Sequence, residues 1–255
     1  MSDFPDNSEP TATGPSFPRW LKWGLLGALA VLIVGYGLIF LYAKVLNDAP
    51  DELGAGDLDA ALSSGTTVGD VSADETQPTV AGGDGSVWTV TDASEIGYRV
   101  NEVLFGVDTE AVGRTNQITG SLTIGGSEVI AAEFVVDVAS ISSDESKRDG
   151  QFRGRIMSTD EFPEAVFTLT EPIELGTSPA DGVEVATSAT GELTLRGVTN
   201  PVTFDLTAKL ENGKIGVLGN IPVVFAEYGI ANPSIGGITT EDNGLLEFVL
   251  VFSPA

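Results

Sequence analysis

The order of hydrophobic and polar positions divides the 255-residue chain into three parts. Residues 24–43 form an unbroken apolar run without a charged side chain. Residues 45–81 are mostly small and acidic and show little periodicity. From Val87 onward, short runs alternate between apolar and polar side chains, which is the period of β-strands. The pattern predicts a membrane segment, a linker and a β domain, in that order.

The apolar run predicts a transmembrane helix. Its 20 residues, at ~1.5 Å per residue, cover about 30 Å, the thickness of a bilayer's hydrocarbon core. A cleaved signal peptide is the alternative, but its apolar region is shorter, ~7–15 residues, and no small-x-small cleavage site follows this run. Aromatic residues, which favour the membrane interface, stand at the two ends of the run: Trp20, Trp23 and Tyr42.

Charged residues beside the run predict its orientation. Arg19 and Lys22 precede the run, whereas only Lys44 follows it directly. Because positive residues tend to stay on the cytoplasmic side, we expect a single-pass protein of the cell membrane with a cytoplasmic N-terminus. The C-terminal domain is then extracytoplasmic.

Polar segments flank the membrane run. Residues 1–18 contain four prolines among Ser, Thr and acids, which predicts a disordered cytoplasmic tail. Residues 45–81 hold eight acids and no base, which predicts a solvated linker in which three leucines form at most one brief amphipathic turn. Those leucines are Leu53, Leu58 and Leu62. The predicted divisions are a tail at 1–18, an anchor at 19–44, a disordered linker at 45–85 and a β domain at 86–255.

The C-terminal domain is expected to consist of strands. Phe204 and Leu206 alternate with Thr203, Asp205 and Thr207, as in a half-buried strand. Asn212-Gly213 between two such runs predicts a hairpin turn. Strands at intervals of about ten residues favour a sandwich or a barrel. The charged stretch from residue 143 to residue 157 predicts a loop or short helix that caps one end.

Composition excludes several classes of function. The net charge of −25 disfavours nucleic-acid binding. With no Cys and no His, the chain has no disulfide, no thiol nucleophile and no Ser-His-Asp triad, and a metal site would need oxygen ligands alone. Asp160, Glu161 and Glu164 form a carboxylate cluster of the type used by glycosidases. Solvated surface acids explain the cluster more simply, so we expect no enzyme and no cofactor.

Four stretches carry a family resemblance. They are Trp88-Thr89-Val90 with Ser94 and Tyr98; Val138-Ala139-Ser140-Ile141 leading to Arg148-Asp149 and Phe152-Arg153; residues 161–167 (EFPEAVF); and residues 191–202 (GELTLRGVTNPV). In this order and at this spacing, they resemble the YceI-like family of polyisoprenoid-binding, lipocalin-like proteins. Family members often carry His in the first strands, where this chain has none; Glu95 and Asn101 lie where such polar residues would fit.

The resemblance implies an all-β fold, an antiparallel eight-stranded barrel whose apolar lumen holds a long isoprenoid or a similar amphiphile. Arg148 and Asp149 would contact a headgroup at the barrel mouth, or would form an ion pair that pins the capping loop. The alternative function is a structural or interaction domain whose barrel is filled by side chains; cavity volume separates the two. The candidate lumen residues are Trp88, Tyr98, Phe134, Ile141, Phe152, Phe167, Phe204, Phe248 and Phe252.

Overall fold

The computed structural model describes residues 19–41, 49–64, 85–176 and 181–255. The chain divides into two compact units, one up to residue 46 and one from residue 47 to the end. The predicted tail at 1–18 lies outside the described residues.

In the first unit, helix α1 spans Arg19–Leu41. Its part from Trp23 to Leu41 is long and apolar enough to cross a membrane, and none of it is buried within the protein. Length and composition thus make it a candidate membrane span, although a signal sequence near the N-terminus meets the same criteria. Tyr42 and Ala43, which the apolar run includes, lie outside the described residues.

The second unit is built on antiparallel strands. The strands are β1 (Ser86–Val90), β2 (Glu95–Leu104), β3 (Val107–Thr115), β4 (Ile118–Gly125), β5 (Glu128–Asp137), β6 (Glu164–Leu169), β7 (Ile173–Glu174), β8 (Glu184–Leu195), β9 (Val198–Glu211), β10 (Lys214–Val224), β11 (Ile238–Thr240) and β12 (Asn243–Pro254). Helix α2 (Ala55–Ser63) precedes them, and α3 (Ser146–Gln151) with a following π-helical turn (Phe152–Ile156) lies between β5 and β6.

Strand pairing closes the sheet into an eight-stranded barrel. β1 and β2 act as two halves of one bent strand, and so do β3 and β4, because β1 pairs with β4 and β2 pairs with β3. The order continues through β5, β6, β8, β9, β10 and β12, and β12 returns to pair with both β1 and β2. The predicted all-β barrel is therefore confirmed, and Asn212-Gly213 forms the predicted turn between β9 and β10.

The two ends of the barrel differ. The cap end carries the β2–β3 turn at Phe105-Gly106, the β8–β9 turn at Arg196-Gly197, and the α3 segment with its π-helical turn. The opposite end carries the β4–β5 and β9–β10 turns. The charged stretch 143–157 thus forms the predicted cap between two strands.

Residues 49–64, called the docked segment below, correct the prediction of a disordered linker over 45–85 for this part of it, whereas residues 45–48 and 65–84 lie outside the described residues. Helix α2 lies within this segment, and Gly54 N donates to the Asp57 carboxylate at its start (2.8 Å). Leu58 and Leu62 are buried against Val249 and Val251 on the outer face of β12. The physical reason is a groove: a Cβ on residue 216 would lie 2.6 Å from Leu58 and 2.9 Å from Leu62, so Gly216 makes room for both side chains.

Glu247 anchors the start of the docked segment to the barrel. Its side chain is 1% exposed and accepts hydrogen bonds from Arg114 (Nη2, 2.7 Å), Arg99 (Nε, 3.3 Å) and the Leu53 backbone N–H (3.3 Å). The same guanidinium groups donate to the backbone carbonyls of Pro50 (2.7 Å) and Asp51 (2.6 Å). Because the docked segment covers its outer face, β12 is buried on both faces over residues 247–252.

Candidate functional site

The barrel encloses a cavity. Inward-facing positions alternate with outward-facing ones along each strand, and apolar side chains line almost all of the interior. The cavity volume is about 240 Å³, just below the ~300–1,000 Å³ of typical small-molecule pockets. The interior is therefore hollow and not packed solid.

Five phenylalanine rings form a continuous belt around the cavity. Phe134 stacks on Phe167 with 6.3 Å between ring centroids and lies 5.6 Å from Phe252. Phe167 meets Phe204 edge-on at 5.5 Å, and Phe204 meets Phe248 edge-on at 5.9 Å. Strand alternation brings these rings together on the inward faces of four strands, since Phe248 and Phe252 both belong to β12 and the other three lie on β5, β6 and β9. The belt offers an apolar, aromatic contact surface to an elongated guest.

At the cap end, an aromatic pair borders the cavity. Tyr98 on β2 stacks on Phe152 of the π-helical turn, with 4.7 Å between ring centroids. Ile141 and Met157 line the cavity beside this pair and are buried. Burial raises the pKa of the Tyr98 hydroxyl above its ordinary value, against the opposing effect of the Arg148 guanidinium. Tyr98 thus stays neutral and can donate a hydrogen bond at any physiological pH.

Charged side chains reach the cavity at the cap end. Glu102 lies on the inward face of β2 after Ile96, Tyr98 and Val100, and Arg148 lines the same cavity from α3. Burial raises the pKa of Glu102, while Arg148 opposes that shift. Arg148 also forms an ion pair with Asp144. A carboxyl group, a phenol and a guanidinium therefore meet the apolar lumen at one end.

Lys209 is the other charged residue that lines the cavity. Its ammonium group is engaged by Asp59 of the docked segment (2.8 Å) and by Glu211 (2.7 Å). The hydrogen bonds that this ammonium group donates to the two carboxylates raise the pKa of Lys209 above its ordinary value. This lysine therefore joins α2 to the barrel rather than facing a guest.

Eight of the nine candidate lumen residues line the cavity, and Trp88 does not. Trp88 lies at the opposite end, where its indole N–H donates to the Ser86 hydroxyl (3.2 Å) and its ring packs against the core. Of the predicted polar pair, Arg148 lines the cavity and Asp149 does not. Asp149 instead accepts hydrogen bonds from the Ser143 backbone N–H (2.8 Å) and hydroxyl (2.7 Å), which pin the capping loop.

Glu102 is a cavity residue that was not among the predicted positions. The predicted polar positions of the first strands, Glu95 and Asn101, lie on the outward face of β2. Glu95 forms an ion pair with Arg114 (3.7 Å), and Asn101 donates to Glu241 (3.2 Å). The alternation of β2 held the missing signal, because Glu102 has the same parity as Tyr98 and therefore faces the lumen.

The carboxylate cluster near Pro163 has no part in the cavity. Asp160, Glu161 and Glu164 are exposed, and none of them lines the interior. Within the parts of the chain that the structure describes, no group of three or more acidic side chains is placed to hold a metal ion.

The amino-acid sequence matches one family model and is similar to one further protein. Residues 88–252 match the family model of the YceI-like domain. The UPF0312 protein VPA0850 of Vibrio parahaemolyticus is 30% identical over 96 residues, which cover 36% of this chain and about half (47%) of that protein.

Two solved structures share the barrel. A polyisoprenoid-binding domain from Saccharophagus degradans, implicated in plant cell wall breakdown, superposes with a TM-score of 0.55 at 18% identity, over 67% of this chain and 99% of that one. BcnA of Burkholderia cenocepacia superposes with a TM-score of 0.51 at 21% identity, over 64% and 98% of the two chains. At these identities, the likeness concerns the fold.

Proposed function

Because the chain belongs to the YceI-like family, with its YceI-like domain at residues 88–252, we propose that its barrel binds one lipid molecule, an isoprenoid or a similar amphiphile. The hollow, apolar interior is the observation that carries the proposal. The description of the Saccharophagus degradans domain as polyisoprenoid-binding supports the choice of ligand. No catalytic step is part of this function.

The apolar tail lies along the phenylalanine belt, and the polar head lies at the cap end. There Tyr98, Glu102 and Arg148 supply the polar groups that line the cavity. A long chain occupies more than about 240 Å³, so the belt rings change rotamers as it enters.

Energetics favour reversible exchange. Each CH₂ removed from water contributes about 0.8 kcal/mol, so a long tail gains tens of kcal/mol in all. Relative to a bilayer the gain is near zero, because lipid tails are equally apolar. The barrel therefore stores or transfers its lipid rather than extracting it permanently.

The same proposal includes a membrane anchor. Helix α1 holds the protein in the cell membrane as a single-pass span, with the N-terminus in the cytoplasm and the barrel outside it. Its length and apolar composition support this role. A tethered barrel has a high effective concentration at the lipid source.

Two matched substitutions test the binding site. Ala189 faces the cavity from β8, whereas Ala186 on the same strand is exposed. We expect native mass spectrometry of the full chain to detect one bound polyprenol per wild-type protein. Ala189→Leu should weaken this binding by on the order of tenfold or more, because the added side chain fills the cavity. Ala186→Leu should leave it unchanged.

Three outcomes contradict the proposal. They are the absence of any bound or acquired lipid in the wild-type protein, equal binding by Ala189→Leu, and equal loss in both variants. The first would favour a structural domain of the cell envelope.

A further inference from the structure

We propose that the cap end of the barrel docks on a lipid bilayer and inserts Phe105 and Ile235 among the lipids. The docking surface rests on its own observations. Its purpose, passage of the ligand between membrane and cavity without crossing water, rests on the function proposed above.

The two apolar side chains form one exposed patch. Phe105 is 57% exposed and Ile235 is 52% exposed. Phe105 lies on the loop that carries Ile235: its backbone N–H donates to the Gly237 carbonyl (2.8 Å), and its ring covers the position where a Gly237 Cβ would be. A third apolar residue, Val103, is 36% exposed and pairs with Thr239 in the same corner.

Backbone conformation indicates that the position of Phe105 is not a by-product of core packing. Its φ is +47°, which the two-residue β2–β3 loop requires, but Gly, Asn and Asp adopt this left-handed conformation far more readily than a bulky residue does. Such strain is kept when the surrounding structure enforces it, and it is concentrated at functional positions. Here the strained turn presents the ring to solvent, where it adds little to the stability of the barrel.

The patch borders the cavity. Glu102 lines the interior and lies three residues before Phe105, and Pro233 lines it two residues before Ile235. A bilayer in contact with the patch is therefore in contact with the end of the lumen that carries its polar groups. The polar head of a ligand can then remain at the membrane interface while its tail moves between the bilayer and the cavity.

Charge also fits a phospholipid surface. Residues 144–156 carry four basic residues and three acids, a local excess of positive charge in a chain whose net charge is −25. Lys147 and Arg155 are exposed, and Arg155 Nη2 donates to the Pro233 carbonyl (2.6 Å), which places a guanidinium beside the Ile235 loop. Basic groups next to exposed apolar side chains are typical of surfaces that bind the membrane interface and lipid phosphates.

Spin labelling tests the docking directly, because the chain has no cysteine of its own. Ile235→Cys is matched by Val183→Cys, since both side chains are 52% exposed and Val183 lies at the opposite end of the barrel. The full chain is labelled with a nitroxide and reconstituted in phosphatidylcholine vesicles. Collisions of the label with oxygen and with a water-soluble nickel chelate are then measured by electron paramagnetic resonance.

We expect the label at position 235 to meet oxygen readily and the nickel chelate rarely, as in a bilayer, and the label at 183 to behave as in water. Equal, water-like accessibility at both positions would overturn the proposal. So would dipolar broadening at 235 that disappears on dilution with unlabelled protein, because a second copy would then cover the patch.

Phe105→Ser separates docking from binding. We expect this variant to keep its bound polyprenol by native mass spectrometry. Its uptake of a fluorescent isoprenoid alcohol from its own vesicle should slow by on the order of tenfold, because less apolar surface enters the bilayer. Unchanged uptake would refute the role of the patch even if binding is intact. Absence of binding in the wild-type chain would instead refute the proposed function.

Discussion

Leu62→Ala should release helix α2 from the barrel. Leu62 is fully buried, with 0% of its surface exposed, and lies against Val251, which is also 0% exposed. Removing a leucine side chain from such a site costs about 2–5 kcal/mol. Alanine has the highest helix propensity, so the substitution does not weaken the helix itself. Any destabilisation must therefore come from lost burial.

Hydrogen exchange of the α2 amides measures this release. The Leu58 and Ser64 N–H groups donate to the carbonyls of Gly54 (3.1 Å) and Ala60 (2.9 Å). A loss of about 2 kcal/mol corresponds to about 30-fold faster exchange. We expect at least this acceleration, or exchange as fast as in an unstructured peptide.

Ala60→Gly is the control for α2, because residue 60 is exposed and glycine lowers helix propensity by about 1 kcal/mol. Its exchange should accelerate by only about fivefold. The account of a docked segment is refuted if Leu62→Ala accelerates exchange no more than this control does.

Three further predictions concern buried groups of the barrel. Glu247→Gln should lower the free energy of unfolding by about 3 kcal/mol in urea denaturation, because the guanidinium groups of Arg99 and Arg114 lose the buried carboxylate with which both form ion pairs. A change below about 0.5 kcal/mol would contradict this. Glu102→Gln should leave stability unchanged below the ordinary glutamate pKa of 4.5 and raise it relative to wild type above that pH. The reason is that the raised pKa makes folded Glu102 hold its proton more tightly than unfolded Glu102, so the wild-type protein loses stability as the pH rises above the unfolded-state pKa and through the folded-state pKa. Identical pH profiles of the melting temperature in the two proteins would contradict this. Gly113→Ala should destabilise the fold by about 1–3 kcal/mol in thermal unfolding, because its Cβ would lie 2.6 Å from the Tyr98 ring; an unchanged melting temperature would show that the ring can move.

Alternation of side chains made the barrel and most of its lining predictable. In β9, a period of two fixes which face of the strand meets the core, so Phe204 was assigned to the interior from the sequence. The same rule applied to β2 identifies Glu102. The turn at Asn212-Gly213 was predictable because a two-residue hairpin loop of this type needs positive φ at both positions, and both have it.

The docked segment was not predictable in the same way. Helix α2 has nine residues, fewer than the ~12–15 that an isolated helix needs to be stable in water, so only contact with the barrel stabilises it. Its leucines match a groove over Gly216 that exists only in the folded barrel. A local signal was nevertheless present in β12: residues 245–252 (LLEFVLVF) are apolar at both parities, which indicates a strand buried on both faces.

The central claim, that the lumen holds the tail of a single lipid, is tested most directly by mapping the contacts of a photoreactive ligand. A polyprenol with a diazirine near the end of its tail is bound to the full chain, activated with light, and located by peptide mass spectrometry. The account predicts one adduct per protein on inward-facing residues such as Phe134, Phe204 and Phe252, suppressed by unlabelled polyprenol. Adducts confined to outward-facing residues or to α1, or no adducts that unlabelled polyprenol suppresses, would contradict it.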